Sequence, residues 1–327
     1  MLKKISLLPL HIHEEVSLTG LRVPINKYPI ENADGTLKSE NKSYAKLVYG
    51  PELFEGGHGI LQLAKRHDMS GETLDAIVKR PKEAEILGSE AILQWIARKT
   101  LEPYKFQESI PQVYDIFRKG SLIRFSMEFI KGDFPYVYLA RVKNPDIFFF
   151  QLLSQVCILL YFLEKEIFLD HRDLKANNLY IRETPVHYTV DISGVSFIVK
   201  APFQVIILDF GFACVGDNSG VTKINIAPDV FPNSDPCPKE GRDLFHLITS
   251  FWSIPSVRER MTAETQAEVD SWLVKDTKDF SKLTRKLRQT DWVYVVTGDP
   301  KFKFPMLSPL SIFHRVNLLL DSIVTSV

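Results

Sequence analysis

The spacing of apolar and polar residues changes along the chain. In the first third, short apolar or alternating runs predict β-strands at Tyr44–Tyr49, Ile60–Leu63, Ala76–Val78 and Leu122–Phe129. One stretch there, Glu83–Arg98, has helical spacing instead. This part of the chain is therefore expected to form a small sheet with one helix.

Beyond residue 145 the spacing is mostly helical, apart from a strand-rich insert at 186–209. The longest apolar run, Ile147–Leu163, has seventeen residues, which is at the lower limit of the ~17–25 needed to cross a membrane. It also contains Gln151 and Gln155. We therefore expect a buried core helix rather than a membrane span, because the centre of a large domain needs a helix that is apolar almost all round.

This order of elements predicts an α+β protein with a small β-rich lobe followed by a larger, mainly helical lobe. The predicted segments are an N-terminal extension at 1–43, the small lobe at 44–131 and the large lobe at 132–327. The connection between the lobes is expected near Glu128–Gly132. No repeat or low-complexity tract divides the chain further.

The composition is that of a globular protein, with 45% hydrophobic and 24% charged residues in 327. Forty basic residues balance forty acidic ones, so the net charge is zero. A nucleic-acid-binding protein normally has an excess of basic residues. We therefore expect no direct binding to nucleic acid.

The cysteines and the N-terminus both favour an intracellular location. Cys157, Cys214 and Cys237 are odd in number and contain no C-x-x-C pair, so we expect neither a zinc site nor a disulfide, and a reducing compartment. The apolar run at 5–10 is broken by Pro9 and is too short for a secretory signal. The protein is accordingly expected in the cytoplasm or nucleus, without a membrane partner.

The strongest candidate chemistry lies in two motifs. The first, His171–Asn178, reads HRDLKANN. The second, Asp209–Gly211, reads DFG and follows an apolar strand, and Asp209 lies thirty-one residues after Asn178. The amide of Asn178 and the carboxylate of Asp209 are hard oxygen ligands of the kind that Mg²⁺ prefers. Asp173, which is not needed for the metal, can accept a proton from an attacking hydroxyl group.

Together the two motifs resemble the signature of protein kinases. Lys175, two residues after Asp173, resembles the serine/threonine form of the loop. The resemblance implies a bilobal, protein-kinase-like fold and transfer of the γ-phosphoryl group of ATP, with Mg²⁺, to serine or threonine of a protein substrate. It makes Asp173 and Lys175 catalytic and makes Asn178 and Asp209 the metal ligands.

Two upstream segments resemble the nucleotide-binding part of a kinase. Ala76–Lys79 resembles the strand whose lysine contacts the α- and β-phosphates. Phe54–Leu61 resembles the glycine-rich loop, where the backbone can approach phosphate closely. Phe54, however, stands where the first glycine of that loop would be.

The partner of Lys79 could be Glu83, Glu85 or Glu90. We favour Glu90, because the other two lie too close in sequence to the end of the strand for a helix to turn back. Met127–Phe129 resembles the hinge that contacts adenine. The residues to which the resemblance assigns nucleotide binding are Gly56, Gly57, Gly59, Leu61, Ile77, Lys79, Glu90, Met127, Glu128 and Phe129.

The stretch between Asn178 and Asp209 is long and is similar to that of haspin-type kinases. Gly241–Ile248 resembles the haspin helix in which an aspartate, here Asp243, braces the catalytic loop. Haspins usually carry a modified DFG, whereas this chain keeps the standard one. The haspin subtype implies that the activation segment after Gly211 is ordered without phosphorylation and that the substrate is a basic, tail-like protein segment. We also expect a monomer. The compact form of the chain is also similar to kinases of large DNA viruses.

Two alternatives remain open. The lost first glycine and the absence of an A-P-E motif after Gly211 are compatible with a pseudokinase that acts as a binding module. A small-molecule kinase of the aminoglycoside or choline type is the other alternative, although such enzymes tend to carry an HGD-like loop in place of HRD-x-K. Turnover of ATP distinguishes a protein kinase from a pseudokinase. The type of acceptor, peptide or small molecule, distinguishes a protein kinase from a small-molecule kinase.

Overall fold

The computed structural model describes most of the chain, and its described residues fall into two compact units. The described ranges are 23–56, 59–82, 87–273 and 307–325. The first unit holds the described residues up to 99, together with 110–130 and 209–211, and the second unit holds the others.

The first unit is a closed β-barrel of seven strands. In chain order they are β1 (Ile30–Glu31), β2 (Thr36–Ser39), β3 (Lys42–Glu55), β4 (Gly59–Asp68), β5 (Thr73–Pro81), β6 (Val113–Lys119) and β7 (Leu122–Glu128). Their order around the barrel is β1-β2-β3-β4-β5-β7-β6. Parallel pairing of β1 with β6, where Ile30 lies opposite Arg118, closes the ring, and the other pairs are antiparallel.

The turn between β1 and β2 depends on a glycine. Gly35 has a φ of +83°, and a β-carbon on it would lie 2.2 Å from the carbonyl oxygen of Leu47. Only glycine tolerates both the left-handed conformation and this close approach. The turn brings β2 against β3, where Leu37 pairs with Ala45.

Alternate residues of the barrel strands point into an apolar core, as the two-residue period of a strand requires. The core cluster consists of the buried residues Leu37, Ala45, Leu47, Ala64, Val78 and Phe117. Helix α1 (Leu87–Leu101) follows β5, and its residues from Gly88 to Ala97 are buried. All four strands predicted for this part of the chain, and the helix, are therefore present, with some bounds shifted by several residues.

The second unit contains six described α-helices. They are α2 (Pro135–Arg141), α3 (Pro145–Ile167), α4 (Arg242–Trp252), α5 (Pro255–Arg258), α6 (Ala263–Leu273) and α7 (Pro309–Thr325). Helix α3 is long and apolar enough to cross a membrane, but 78% of its most apolar stretch is buried inside the protein. It packs against α7. The expectation of a core helix for Ile147–Leu163 is thus confirmed.

Short strands lie between these helices. In chain order they are β8 (Leu169–Asp170), β9 (Leu179–Arg182), β10 (Val186–Ile192), β11 (Val195–Ala201), β12 (Gln204–Ile207), β13 (Cys214–Val215) and β14 (Ile224–Asn225). They form a three-stranded sheet in the order β14-β13-β8, a pair of β9 with β12, and a β10–β11 hairpin. The hairpin and β12 form the strand-rich insert expected at 186–209.

The predicted bilobal, protein-kinase-like arrangement is wrong. The described chain is a mixed α+β protein with a closed seven-stranded barrel, and small sheets are interspersed with the helices where a mainly helical lobe was expected. The reason lies partly at 30–39, where two strands too short to give a periodic signal complete the barrel. The boundaries predicted at 43 and 131 remain predictions.

The expectation of no disulfide is also wrong. Cys214 and Cys237 are bonded, with their α-carbons 6.3 Å apart, although 23 residues separate them in sequence. Cys157 is free and buried in α3. Sequence spacing cannot reveal such a pair, because the fold alone brings the two residues together.

Candidate functional site

The first unit brings together three of the predicted site residues. The Nζ of Lys79, on β5, lies 2.7 Å from Oε1 of Glu90 on α1 and 3.0 Å from Oδ1 of Asp209. The side chains of Lys79 and Glu90 are 11% and 4% exposed, whereas that of Asp209 is 49% exposed. The ion pair predicted between Lys79 and Glu90 is thus present, and Asp209 is the accessible member of the cluster. Glu83 and Glu85 lie outside the described residues.

The charge on Lys79 is fixed by its surroundings. Burial alone would favour the neutral amine, but the carboxylates of Asp209 and Glu90 outweigh this effect and raise the pKa of Lys79. The ammonium group is therefore cationic at every physiological pH. A fixed, nearly buried cation beside a half-exposed carboxylate is suited to binding an anionic group together with its counter-cation.

Asp209 has an unusual backbone conformation. Its φ is +61°, in the left-handed region that residues with a β-carbon seldom occupy. Its Oδ1 accepts a hydrogen bond of 3.3 Å from the backbone N–H of Gly211. Such outliers cluster at functional sites, where the surrounding structure holds them in place.

The predicted glycine-rich loop is the turn between β3 and β4. The N–H of Gly56 donates to the carbonyl of Gly59 over 2.9 Å. A β-carbon on Gly59 would lie 3.0 Å from the carbonyl oxygen of Arg80, so a larger residue would displace backbone. Gly57 lies outside the described residues, and Phe54 is 62% exposed.

Three other predicted nucleotide contacts lie on strands beside Lys79. Leu61 on β4 lies opposite Lys79 itself, and Ile77 on β5 lies opposite Met127 on β7. The N–H of Glu128 donates to the carbonyl of Gln112 over 2.8 Å, and that of Phe129 donates to the carbonyl of Asp75 over 3.4 Å. These two N–H groups hold the barrel together, so adenine would have to use other backbone atoms.

The second unit holds the other predicted residues in a compact loop. Oδ2 of Asp173 lies 2.7 Å from Nζ of Lys175 and 3.0 Å from Nδ2 of Asn178. Nδ2 of Asn178 also donates to the backbone carbonyl of Asp173 over 2.7 Å. The side chain of Asp173 is mostly buried, so its carboxylate is held in one place between a cation and an amide.

Helix α4 fixes the backbone of this loop. The carboxylate of Asp243 accepts the N–H of His171 over 2.6 Å and the N–H of Arg172 over 2.8 Å. The contact predicted for Asp243 is therefore present. Burial, and the neighbouring charge of Asp170, raise the pKa of Asp243.

A second set of contacts, which the sequence did not predict, surrounds Arg172. Arg172 and Arg242 are buried, and their guanidinium carbons lie over the ring of Phe231, 4.7 and 5.5 Å from its centroid. Asp235 lies 3.3 Å from the first guanidinium and 2.7 Å from the second. The Oδ1 of Asn225 accepts a hydrogen bond of 2.8 Å from Arg172. The segment 225–235 is thus tied to the loop His171–Asn178 by its own side chains.

The ligand chemistry of the two predicted metal-binding residues fits Mg²⁺. Nδ2 of Asn178 is bonded to Asp173, which leaves its amide oxygen as the atom to offer a metal. Asp209 offers a half-exposed carboxylate. Mg²⁺ takes few protein oxygens and completes its shell with water and phosphate. Within the described residues, no group of three or more histidine, cysteine or acidic side chains is placed to hold a metal ion.

Comparison with models of known protein families and with curated protein sequences found no match for this chain. A functional assignment therefore depends on the residues and their geometry.

Proposed function

We propose that this protein is an ATP- and Mg²⁺-dependent kinase that transfers the γ-phosphoryl group to serine or threonine of a protein substrate. The observation that carries the proposal is the carboxylate of Asp173, held between the ammonium group of Lys175 and the amide of Asn178 at 2.7 and 3.0 Å. A fixed carboxylate with an adjacent cation is what transfer from a nucleotide to a hydroxyl group requires.

In the proposed reaction the hydroxyl oxygen of the substrate attacks the γ-phosphorus. The bond from the γ-phosphorus to the bridging oxygen of ADP breaks, and the hydroxyl proton passes to Asp173. Lys175 neutralises charge on the phosphoryl group as it moves. Because little covalent chemistry falls to the protein, positioning and electrostatic stabilisation supply most of the lowering of the barrier.

Nucleotide binding is assigned to the cluster in the first unit. Lys79, held by Glu90 at 2.7 Å, contacts the α- and β-phosphates, and the β3–β4 turn at Gly56 and Gly59 covers them. Asp209 and Asn178 would each offer an oxygen ligand to Mg²⁺, and the metal would offset the charge of the phosphates. The resemblance to protein kinases implies these roles, and the charge and exposure of Lys79, Glu90 and Asp209 support them.

The substrate and the location are proposed from other observations. A basic, tail-like protein substrate is proposed from the haspin resemblance alone. The need for ATP supports a location inside the cell, in cytoplasm or nucleus. The cysteine argument for that location no longer holds, since two of the three cysteines form a disulfide.

A second candidate function, a pseudokinase that binds a partner without catalysis, is favoured by one observation. Phe54 occupies the place of the first glycine and is 62% exposed, so the β3–β4 turn offers a large apolar side chain where a phosphate-binding loop has none. The two candidates differ in whether ATP is consumed.

The experiment that separates these readings is transfer from γ-labelled ATP, with and without Mg²⁺. The acceptors are basic peptides, acidic peptides and small amino alcohols. Label on serine or threonine of a peptide, only with Mg²⁺, supports the proposal, and a preference for basic peptides supports the haspin-like subtype. Label on a small alcohol alone overturns the protein-kinase assignment. Nucleotide binding without any turnover favours the pseudokinase.

A further inference from the structure

The Cys214–Cys237 disulfide joins two stretches that flank Asp170, the residue directly before the catalytic loop. Cys214, on β13, lies opposite Asp170 on β8. On the other side, two residues after Cys237, the N–H of Lys239 donates to Oδ2 of Asp170 over 3.1 Å. Asp170 directly precedes the loop that carries Asp173. The covalent link therefore closes a ring of contacts around the start of that loop.

The same link secures the segment that binds Arg172. The N–H of Cys237 donates to the carbonyl of Gly220 over 3.0 Å, and Thr222 Oγ1 donates to the carbonyl of Asp235 over 2.6 Å. Asp235 is the acid shared by Arg172 and Arg242. The disulfide is thus placed to set how firmly the segment 214–237 is held against the catalytic loop.

A hydrogen-bond acceptor lies near Cys237 for the thiol that reduction would produce. Sγ of Cys237 lies 3.7 Å from the carbonyl oxygen of Phe168. A disulfide sulfur has no proton to donate, whereas a thiol at this position has an acceptor within reach. Both cysteines are buried, and reduction would leave at least one of the two thiols with a polar partner.

We propose that this disulfide is a reversible redox control of the catalytic loop. The inference rests on the proposed function in one respect: an ATP-dependent enzyme works in a reducing compartment, where a disulfide is more often redox-sensing than structural. Two successive attacks by a dithiol reductant break the S–S bond. Two electrons and two protons pass to Cys214 and Cys237, and the reductant becomes a cyclic disulfide. A small-molecule disulfide, such as oxidised glutathione, reverses the step.

The first test uses the full-length wild-type protein and does not require activity. Free thiols are counted, and amide hydrogen exchange is followed, before and after incubation with dithiothreitol at a few millimolar without denaturant. The expected result is a rise from one free thiol to three and exchange about tenfold faster in 168–172 and 214–237. Exchange in β4 and β5 should not change, and oxidised glutathione should restore the original pattern.

Three outcomes overturn the proposal. The sulfurs could stay oxidised until denaturant is added, which would make the bond structural. Reduction could leave exchange in both segments unchanged. The protein could contain three free thiols that oxidised glutathione does not join.

Variants separate this proposal from the proposed kinase activity. The double variant Cys214→Ser/Cys237→Ser should match the reduced protein in exchange, and Cys157→Ser, which changes the free buried cysteine, should match the oxidised one. Phosphoryl transfer is expected to fall about tenfold on reduction, and the response should be absent from the double variant. If the rate of phosphoryl transfer is the same before and after reduction, the proposed control of catalysis is overturned. If reduction changes hydrogen exchange in a protein that shows no phosphoryl transfer, the redox control of the loop is supported and the proposed kinase activity is contradicted.

Discussion

The ammonium group of Lys79 has two carboxylate neighbours with different surroundings. Glu90 is almost fully buried and cannot leave, whereas Asp209 is half exposed and can turn to a metal or to solvent. The sequence predicted all three residues, because the spacing of the motifs names Lys79 and Asp209, and helical geometry favours Glu90 over its neighbours. The left-handed conformation of Asp209 could not be predicted, because it depends on contacts that only the fold supplies.

Replacing Lys79 by methionine keeps most of the side-chain volume and removes the charge. We expect phosphoryl transfer to fall by ~100-fold or more, because the cation that we propose binds the phosphates is lost. Rates at saturating and subsaturating MgATP, measured with a labelled peptide, test this. Lys65→Met is the matched control: Lys65 forms a surface ion pair with Asp75 at 2.9 Å, and its loss should change the rate less than twofold. Equal effects of the two substitutions would contradict the assignment.

At the scale of elements, helix α4 supports the loop His171–Asn178 through Asp243. The sequence predicted that contact from the resemblance. It did not predict that Arg172, Arg242 and Asp235 form a buried charged group around Phe231. Nothing in sequence marks Asp235, which lies 63 residues after Arg172, as a partner for these arginines. Long-range ion pairs of this kind follow from the fold and not from local pattern.

His246 on α4 gives this region a pH dependence. It is buried beside Arg242, and desolvation, followed by that charge, lowers the pKa of His246 from 6.5 to about 3. Asp170 favours protonation of His246, whereas its neighbours His171 and Lys175 disfavour it. The folded state therefore holds the imidazole neutral, and the unfolded state takes up a proton below pH 6.5. This contribution to stability is present above pH 6.5 and is lost progressively as pH falls toward 3.

We accordingly expect the free energy of unfolding to fall by ~2 kcal/mol between pH 6.5 and 5 through His246 alone. Urea unfolding of wild type and His246→Gln at both pH values gives the difference, and comparison with the variant cancels the titration of other groups such as Asp243. The variant should lose less stability than wild type over this interval. The same loss in both proteins would show that His246 is not held neutral in the fold.

At the scale of the molecule, closure of the barrel is what the sequence failed to predict. Strands β3, β4, β5 and β7 have clear apolar patterns and were predicted. Strands β1 and β2 are only two and four residues long, too short for a two-residue period to be recognised. The pairing that closes the barrel joins β1 to β6, which lies far away in sequence. The bilobal arrangement inferred from the motifs was wrong for this reason, since motifs report on sites and not on how a sheet is completed.

Leu37 tests whether closure contributes to stability. It is fully buried in the barrel core, whereas its neighbour Lys38 is exposed. We expect Leu37→Ala to lower the free energy of unfolding by ~2–5 kcal/mol through lost burial and the cavity that remains. Lys38→Ala should change it by less than about 0.5 kcal/mol. Chemical denaturation of the three proteins is the measurement, and a small effect of Leu37→Ala would mean that β2 does not complete the core.

The central claim is that Asp173 accepts a proton during phosphoryl transfer, and Asp173→Asn tests it most directly. The amide has the same size and cannot act as the base. The measurement is the single-turnover rate of transfer from MgATP to a serine peptide, with nucleotide affinity determined in parallel. Asp191→Asn, on the exposed hairpin, is the control. We predict a rate at least about 100-fold lower for Asp173→Asn, with nucleotide affinity and the control unchanged. A rate within a few-fold of wild type would contradict the account.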